Sequence, residues 1–215
     1  MPLFKAKSFK GHLHYILWQI SETEEEFRKE IILHPSDLLR LEKLKHPEKI
    51  REFMALRCCL KHFFGENPEV FYTPEGKPYL KNGLPVSFSH TAGFAGIVLG
   101  DGLNVGLDLE VHRESIQRIA PKFIREDEYA TLDAENPTAH ITYYWGAKEV
   151  LVKIEGNRKL HFKKQLRISP FLYRDFTNTT AVYINDSGMS KYQLYFEKLE
   201  NLYLTYGWKV NWHIN

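Results

Sequence analysis

The 215-residue sequence predicts an α+β fold, and three observations carry that prediction. Segments with apolar residues at helical spacing alternate with short runs of β-branched and aromatic residues. Their order, helices then strands then helices then strands, suits α+β rather than a βαβ alternation. The length lies between one and two domains at roughly 150 residues each. A hydrophobic content of 43% with 14% aromatics supplies a core for both halves and argues against disorder.

Along the chain, Ser21-Glu-Thr-Glu24 has capping-box spacing and predicts a helix from Ser21 to about Leu33. Pro35 interrupts, and a Leu-rich helix is expected around 37–45. Pro47 at a first turn and Gly65 as C-cap bound a third helix over 47–64. Phe71-Tyr72 and 85–90 read as strands, with 74–78 as a turn between them. Phe94–Leu99 and Asn104–Glu110 flank Asp101-Gly102 and read as a hairpin. Helices over about 116–132 and 138–155 follow, the second ended by Gly156. Residues 160–215 read as strands with a turn at Asn185-Asp-Ser-Gly188.

Charge excludes several classes. Lys and Arg total 29 against 27 Asp and Glu, and the net +2 divides evenly at Val105. Neither half has the basic excess of a nucleic-acid arm. No apolar run approaches the ~18 residues of a membrane span, and the N-terminus lacks a secretory pattern. Cys58 and Cys59 are adjacent, which disfavours a structural disulfide, and two residues alone make no zinc site. A cytoplasmic protein is expected.

Four clusters carry chemistry. On the 47–64 helix, Ile50, Phe53, Met54, Leu60 and Phe64 share one arc with Arg57 in its middle. An unpaired charge there is costly, so Arg57 needs an internal carboxylate, a snorkelling path or a ligand phosphate. Arg51 falls on the polar side. In Val105-Gly-Leu-Asp108-Leu-Glu110, strand alternation puts Asp108 and Glu110 on one face. The pair is either a solvated strand face or a site for a hard divalent cation that relieves their repulsion.

The helix with Trp145-Gly-Ala-Lys148-Glu149-Val-Leu-Val-Lys153 is apolar almost all round. Gly146, Glu149 and Lys153 form its narrow polar strip. Glu149 and Lys153 make either a surface i,i+4 pair worth ~0.3–0.5 kcal/mol or part of a cleft wall. Lys148 projects into the apolar arc and calls for snorkelling or a buried partner. Ser89-His90 at a strand end suits an anion as donors, or a capped turn. No nucleophile elbow, P-loop or dinucleotide fingerprint is present.

Taken in order, helix Arg, G-K-P, S-F-S-H, G-L-D-L-E and W-G-A-K-E-V-L-V-K resemble the Sfp-like 4′-phosphopantetheinyl transferase superfamily, from about Arg51 to Gly156. The resemblance implies two similar α+β halves, 1–104 and 105–215, related by a pseudo-twofold around a coenzyme A cleft. It implies transfer of the 4′-phosphopantetheine arm of coenzyme A to a serine of an acyl or peptidyl carrier protein, releasing adenosine 3′,5′-bisphosphate, as in holo-[acyl-carrier-protein] synthases. Asp108, Glu110 and Glu149 correspond to ligands of Mg2+ (or Mn2+), and Lys153 to the lysine near the pyrophosphate. Arg51, Arg57, Lys77, Ser89 and His90 correspond to nucleotide contacts. Glu149 is the expected base, directly or through a water, with Lys153 stabilising charge.

The carrier proteins of this family are acidic helical bundles, so Arg113, Arg118, Lys122 and Arg125 with Ile119 and Phe123 form a candidate docking face; an ordinary amphipathic helix is the competing reading. A monomer suffices, since both halves lie in one chain. Two other classes compete. A metal-dependent nuclease would place Glu-x-Lys on one strand, whereas Glu110 precedes Val111 and His112. A non-catalytic coenzyme A- or carrier-protein-binding module has no evident use for Asp108, Glu110, Glu149 and Lys153 together.

Overall fold

The computed structural model describes residues 3–9 and 11–210. It is mixed α+β and divides into two compact units, Met1–Leu103 and Asn104–Asn215. Among the described residues no helix is long and apolar enough to cross a membrane.

The first unit opens with strands where the sequence reading began with helices. Strands β1 (Leu3–Phe9) and β2 (Leu13–Gln19) pair antiparallel across Gly11, which has φ 73°. β2 is a near-continuous apolar run buried at five of seven positions, so it lacks the alternation that marks a half-exposed strand. Helix α1 (Glu24–Glu30) starts two residues later than expected. Two S/T-x-x-E boxes overlap here, and Thr23 with Glu26 wins: Thr23 N donates to Glu26 Oε2 at 2.8 Å. Glu22 is already engaged by Trp18 Nε1 at 3.2 Å and by the Ser21 amide at 3.2 Å, which keeps that segment extended. Pro35 begins helix α2 (Pro35–Leu41) at its first turn.

Helix α3 (Pro47–Phe64) has the expected bounds, with Gly65 as a left-handed C-cap at φ 80°. The turn expected between 71–72 and 85–90 instead joins β3 (Val70–Tyr72) to β4 (Pro78–Leu80), a strand absent from the sequence reading, and the two pair with each other. Strands β5 (Val86–Thr91) and β6 (Phe94–Gly100) complete a sheet of order β1-β2-β6-β5. The hairpin read across Asp101-Gly102 does not form. Both edges of β6 are taken, by β2 and by β5, so no edge remains for the next strand. The actual hairpin is β5–β6, turned at Ala92-Gly93 with Gly93 at φ 76°.

In the second unit, strand β7 (Val105–Val111) pairs instead with the distant C-terminal strand. The helix expected over 116–132 is two, α4 (Ile116–Phe123) and α5 (Glu126–Tyr129). Ile124 turns extended at ψ 136°, and Glu128 reaches back to the Arg125 amide at 2.9 Å to start α5. Helix α6 (Pro137–Glu155) ends at Gly156 with φ 67°. Helix α7 (Phe162–Gln165), too short for a periodic signal, leads into β8 (Leu166–Ile168). Strands β9 (Phe176–Asn185), β10 (Gly188–Leu199) and β11 (Leu202–Lys209) form a meander, giving the order β7-β11-β10-β9-β8.

α6 lies directly on β7 and β11. A Cβ on Gly106 would come 2.6 Å from the Val150 carbonyl, and one on Gly146 2.5 Å from Thr205 Oγ1. The glycines in both sequence clusters therefore allow close helix–sheet contact.

Candidate functional site

In the second unit the strand and helix clusters meet. Asp108 and Glu110 share a face of β7 with Gly106, the glycine under α6. The polar strip of α6 is turned onto this face. Lys153 Nζ donates to Asp108 Oδ1 at 2.8 Å and to the Leu107 carbonyl at 2.7 Å. A Cβ on Gly146 would stand 3.5 Å from Asp108 Oδ2, which places this turn of the helix against the carboxylate. Asp108 is only 6% exposed. Glu110 Oε1 accepts from Trp145 Nε1 at 2.7 Å and from Arg113 at 3.1 Å.

The electrostatics are those of crowded, half-buried carboxylates. Burial pushes Glu149 up to about 7, the charges of Asp108 and Glu110 add to the push, and Lys153 and Arg158 oppose it. Burial, then Asp108, also raises Glu110 above the usual carboxylate range, against Arg113 and Trp145. The question left open for the helix strip is thereby answered: Lys153 serves a buried strand carboxylate, not an exposed surface.

A metal fits the chemistry of this donor set, since Asp108 raises the pKa of both Glu110 and Glu149, which leaves a place for added positive charge. As the side chains stand, however, no three His, Cys, Asp or Glu among the described residues converge as metal ligands. Asp108 is held by Lys153, and Glu110 by Trp145 and Arg113.

Lys148, unexplained in the sequence, has the buried partner. Its Nζ donates to Glu128 Oε2 and to the Phe123 carbonyl, both at 2.6 Å, with no exposed surface. Glu128 also accepts from the Ile168 amide at 3.0 Å, so the pair ties α5 and β8 to α6 beside Glu149. Of the expected docking residues, Arg118 and Lys122 are exposed and Ile119 is partly buried against the core. Phe123 is buried, edge-on to Trp145 at 5.0 Å, and Arg125 pairs with Asp127 at 2.9 Å.

In the first unit, Arg57 takes the internal alternative. The guanidinium bonds Asp37 at 2.9 and 2.6 Å and the Tyr72 hydroxyl at 3.1 Å, lies 4.3 Å from the Phe53 ring centre, and has no exposed surface. So placed it is bound internally, with its Nη1 enclosed and without a hydrogen-bond partner. Lys77 is half-buried in the β3–β4 turn, where its amide donates to Thr73 Oγ1 at 3.3 Å. Ser89 is 6% exposed on β5. His90 is exposed, with Nδ1 3.0 Å from Glu52 Oε2. Arg51 is half-buried, and its Nε is enclosed without a hydrogen-bond partner.

Sequence reasoning missed Asp37, Glu128, Glu52 and the Trp145–Glu110 bond. Only the first two left a signal, because Arg57 and Lys148 on apolar arcs called for buried acids.

No family model matches the chain. Among curated proteins it is 30% identical to the 4′-phosphopantetheinyl transferase AcpT of Salmonella typhi over 119 residues, 51% of this chain and 62% of the relative. It is 31% identical to the protein of the same name from Escherichia coli strain K12 over 111 residues, 48% of this chain and 57% of the relative. The chain thus spans less than two thirds of the curated relatives it matches. Over about half its length it is similar to phosphopantetheinyl transferases, the family whose motif order it resembles.

Proposed function

We propose that this chain is a 4′-phosphopantetheinyl transferase of the Sfp-like superfamily. It would transfer the phosphopantetheine arm of coenzyme A to a serine of an acyl or peptidyl carrier protein and release adenosine 3′,5′-bisphosphate. The observation that carries the reading is a half-buried Glu149, pushed to about 7, beside the Asp108–Lys153 pair. A raised carboxyl pKa suits proton transfer near neutrality, and a cation held by the cluster would lower it.

In the reaction the carrier serine oxygen bonds the phosphorus that bears the pantetheine arm. The bond from that phosphorus to the bridging oxygen breaks, and the leaving nucleotide takes the electron pair. Glu149, directly or through a water, receives the serine proton. Lys153 is held by Asp108 and the Leu107 carbonyl with its ammonium at the carboxylate cluster, where it stabilises phosphate charge. Trp145 and Arg113 both bind Glu110 Oε1 and so orient that carboxylate. Asp108, Glu110 and Glu149 would hold Mg2+ or Mn2+, which when bound neutralises charge on the pyrophosphate. Arg51, Lys77, Ser89 and His90 are the proposed coenzyme A contacts. The enclosed, unpartnered Arg51 Nε supports an anion there. Arg57 is left with a structural task.

The test is mass spectrometry of an apo carrier protein incubated with coenzyme A, Mg2+ and this protein. A gain of one phosphopantetheine is expected. Absence of that gain across acyl and peptidyl carriers, with coenzyme A binding retained, would replace the reading with a non-catalytic binding module.

A further inference from the structure

We propose that Glu52 is a positioning residue that orients His90 for anion binding. The inference rests on the phosphopantetheinyl-transfer reading, in which His90 meets a phosphate of coenzyme A. Glu52 lies on α3 and is 9% exposed, and His90 lies on β5. Glu52 Oε2 is 3.0 Å from His90 Nδ1 and 2.7 Å from Lys49 Nζ.

A carboxyl group this enclosed needs polar partners. A pair with Lys49, whose side chain is 50% exposed, is worth little by itself. The bond to the imidazole gives it a use. A histidine has two ring nitrogens, and the partner of one decides which is protonated and where the other points. Glu52 can only accept while ionised. Nδ1 therefore carries a proton, the ring is fixed against α3, and Nε2 is the nitrogen presented to the ligand, to which it donates when the ring is doubly protonated.

Arg51, the neighbour of Glu52 on α3, has an enclosed Nε without a partner. Ser89, the neighbour of His90 on β5, is a buried hydroxyl. The carboxylate thus sits at Nδ1 and Lys49, where it orients the imidazole.

The experiment measures coenzyme A binding calorimetrically, without a carrier, for wild type, Glu52→Gln, His90→Gln and the double variant. Glu52→Gln keeps the size and removes the charge. Its Kd for coenzyme A should rise about 10-fold, the scale seen when a residue that orients a ligating group is lost. In the His90→Gln background the same change should add less than about twofold, because the two residues act as a unit. Lys49→Met should change the Kd by less than about twofold. In transfer assays Glu52→Gln should raise the KM for coenzyme A and leave kcat at saturation near wild type.

Nitrogen NMR of wild-type His90 should show Nδ1 as the protonated nitrogen. A bare Nδ1, an unchanged Kd in Glu52→Gln, or a full additive loss in the double variant each overturn the proposal. If wild type binds coenzyme A but transfers nothing, the enzyme reading fails while the binding cycle still judges Glu52. If wild type binds no coenzyme A, both fall.

Discussion

Glu149→Gln separates a working carboxylate from a surface ion pair by the sign of its effect. Burial raises the Glu149 pKa from the ordinary 4.5 to about 7. The native state therefore holds a proton that the unfolded chain has already released between those values. Stability must fall as pH rises through that window, since the native state binds more protons there. At about 1.4 kcal/mol per pKa unit, the full penalty above pH 7 is on the order of 3 kcal/mol. Coupling to Asp108 and Lys153 trims this to roughly 1–3 kcal/mol.

Glutamine removes the charge and so the penalty. In chelator, Glu149→Gln should be more stable than wild type at pH 8 by roughly 1–3 kcal/mol, and the two should converge near pH 4.5. An exposed Glu149–Lys153 pair predicts the opposite sign, a loss under ~0.5 kcal/mol. Denaturant titrations at pH 4.5, 6 and 8 read the difference directly. Carrier loading by Glu149→Gln should fall at least ~10²-fold despite the gain in stability. A destabilised variant at pH 8, or wild-type turnover, would refute the assignment.

Breaking the buried pair by Arg57→Met should cost ~3–5 kcal/mol, because Asp37 is left charged and buried; denaturant titration reads the loss. If Arg57 also met the nucleotide, coenzyme A affinity of the folded fraction would fall as well, and no such fall is expected. Gly106→Ala should destabilise by ~1–3 kcal/mol, since its Cβ would meet the Val150 carbonyl, and thermal melting checks it. Reversing Arg118 and Lys122 to Glu should raise the carrier KM and leave the coenzyme A Kd unchanged; an unmoved KM would reject α4 as the docking face.

What the sequence revealed follows the range of each signal. α3 and α6 are long, bounded by Pro and Gly, and readable from local spacing. The D-x-E alternation put both carboxylates on one face because strand period is local too. Strand partners are not local. β7 pairs with β11 across roughly 100 residues of chain, and nothing near Asp101-Gly102 could show that β6 had no edge left. The N-terminal hairpin was hidden for a related reason, since β2 carries an almost unbroken apolar run.

The charged residues divide in the same way. A basic residue on an apolar arc announces that it needs an acid but not which one; for Arg57 the acid is Asp37. Lys148 found Glu128 on the same logic. These two lysine and arginine pairs are anchors, each cation matched by its own carboxylate. The strip of Glu149 and Lys153 differs in kind. There Asp108, Glu110 and Glu149 crowd around Lys153, and burial holds Glu149 near neutrality. A fold needs no such excess of buried carboxylate for stability, and loses stability to it above pH 7. Burial also lowers the Lys148 pKa, but there Glu128 opposes it; at Glu149 the neighbouring carboxylates Asp108 and Glu110 add to burial instead, which is the physical reason to propose the chemistry there.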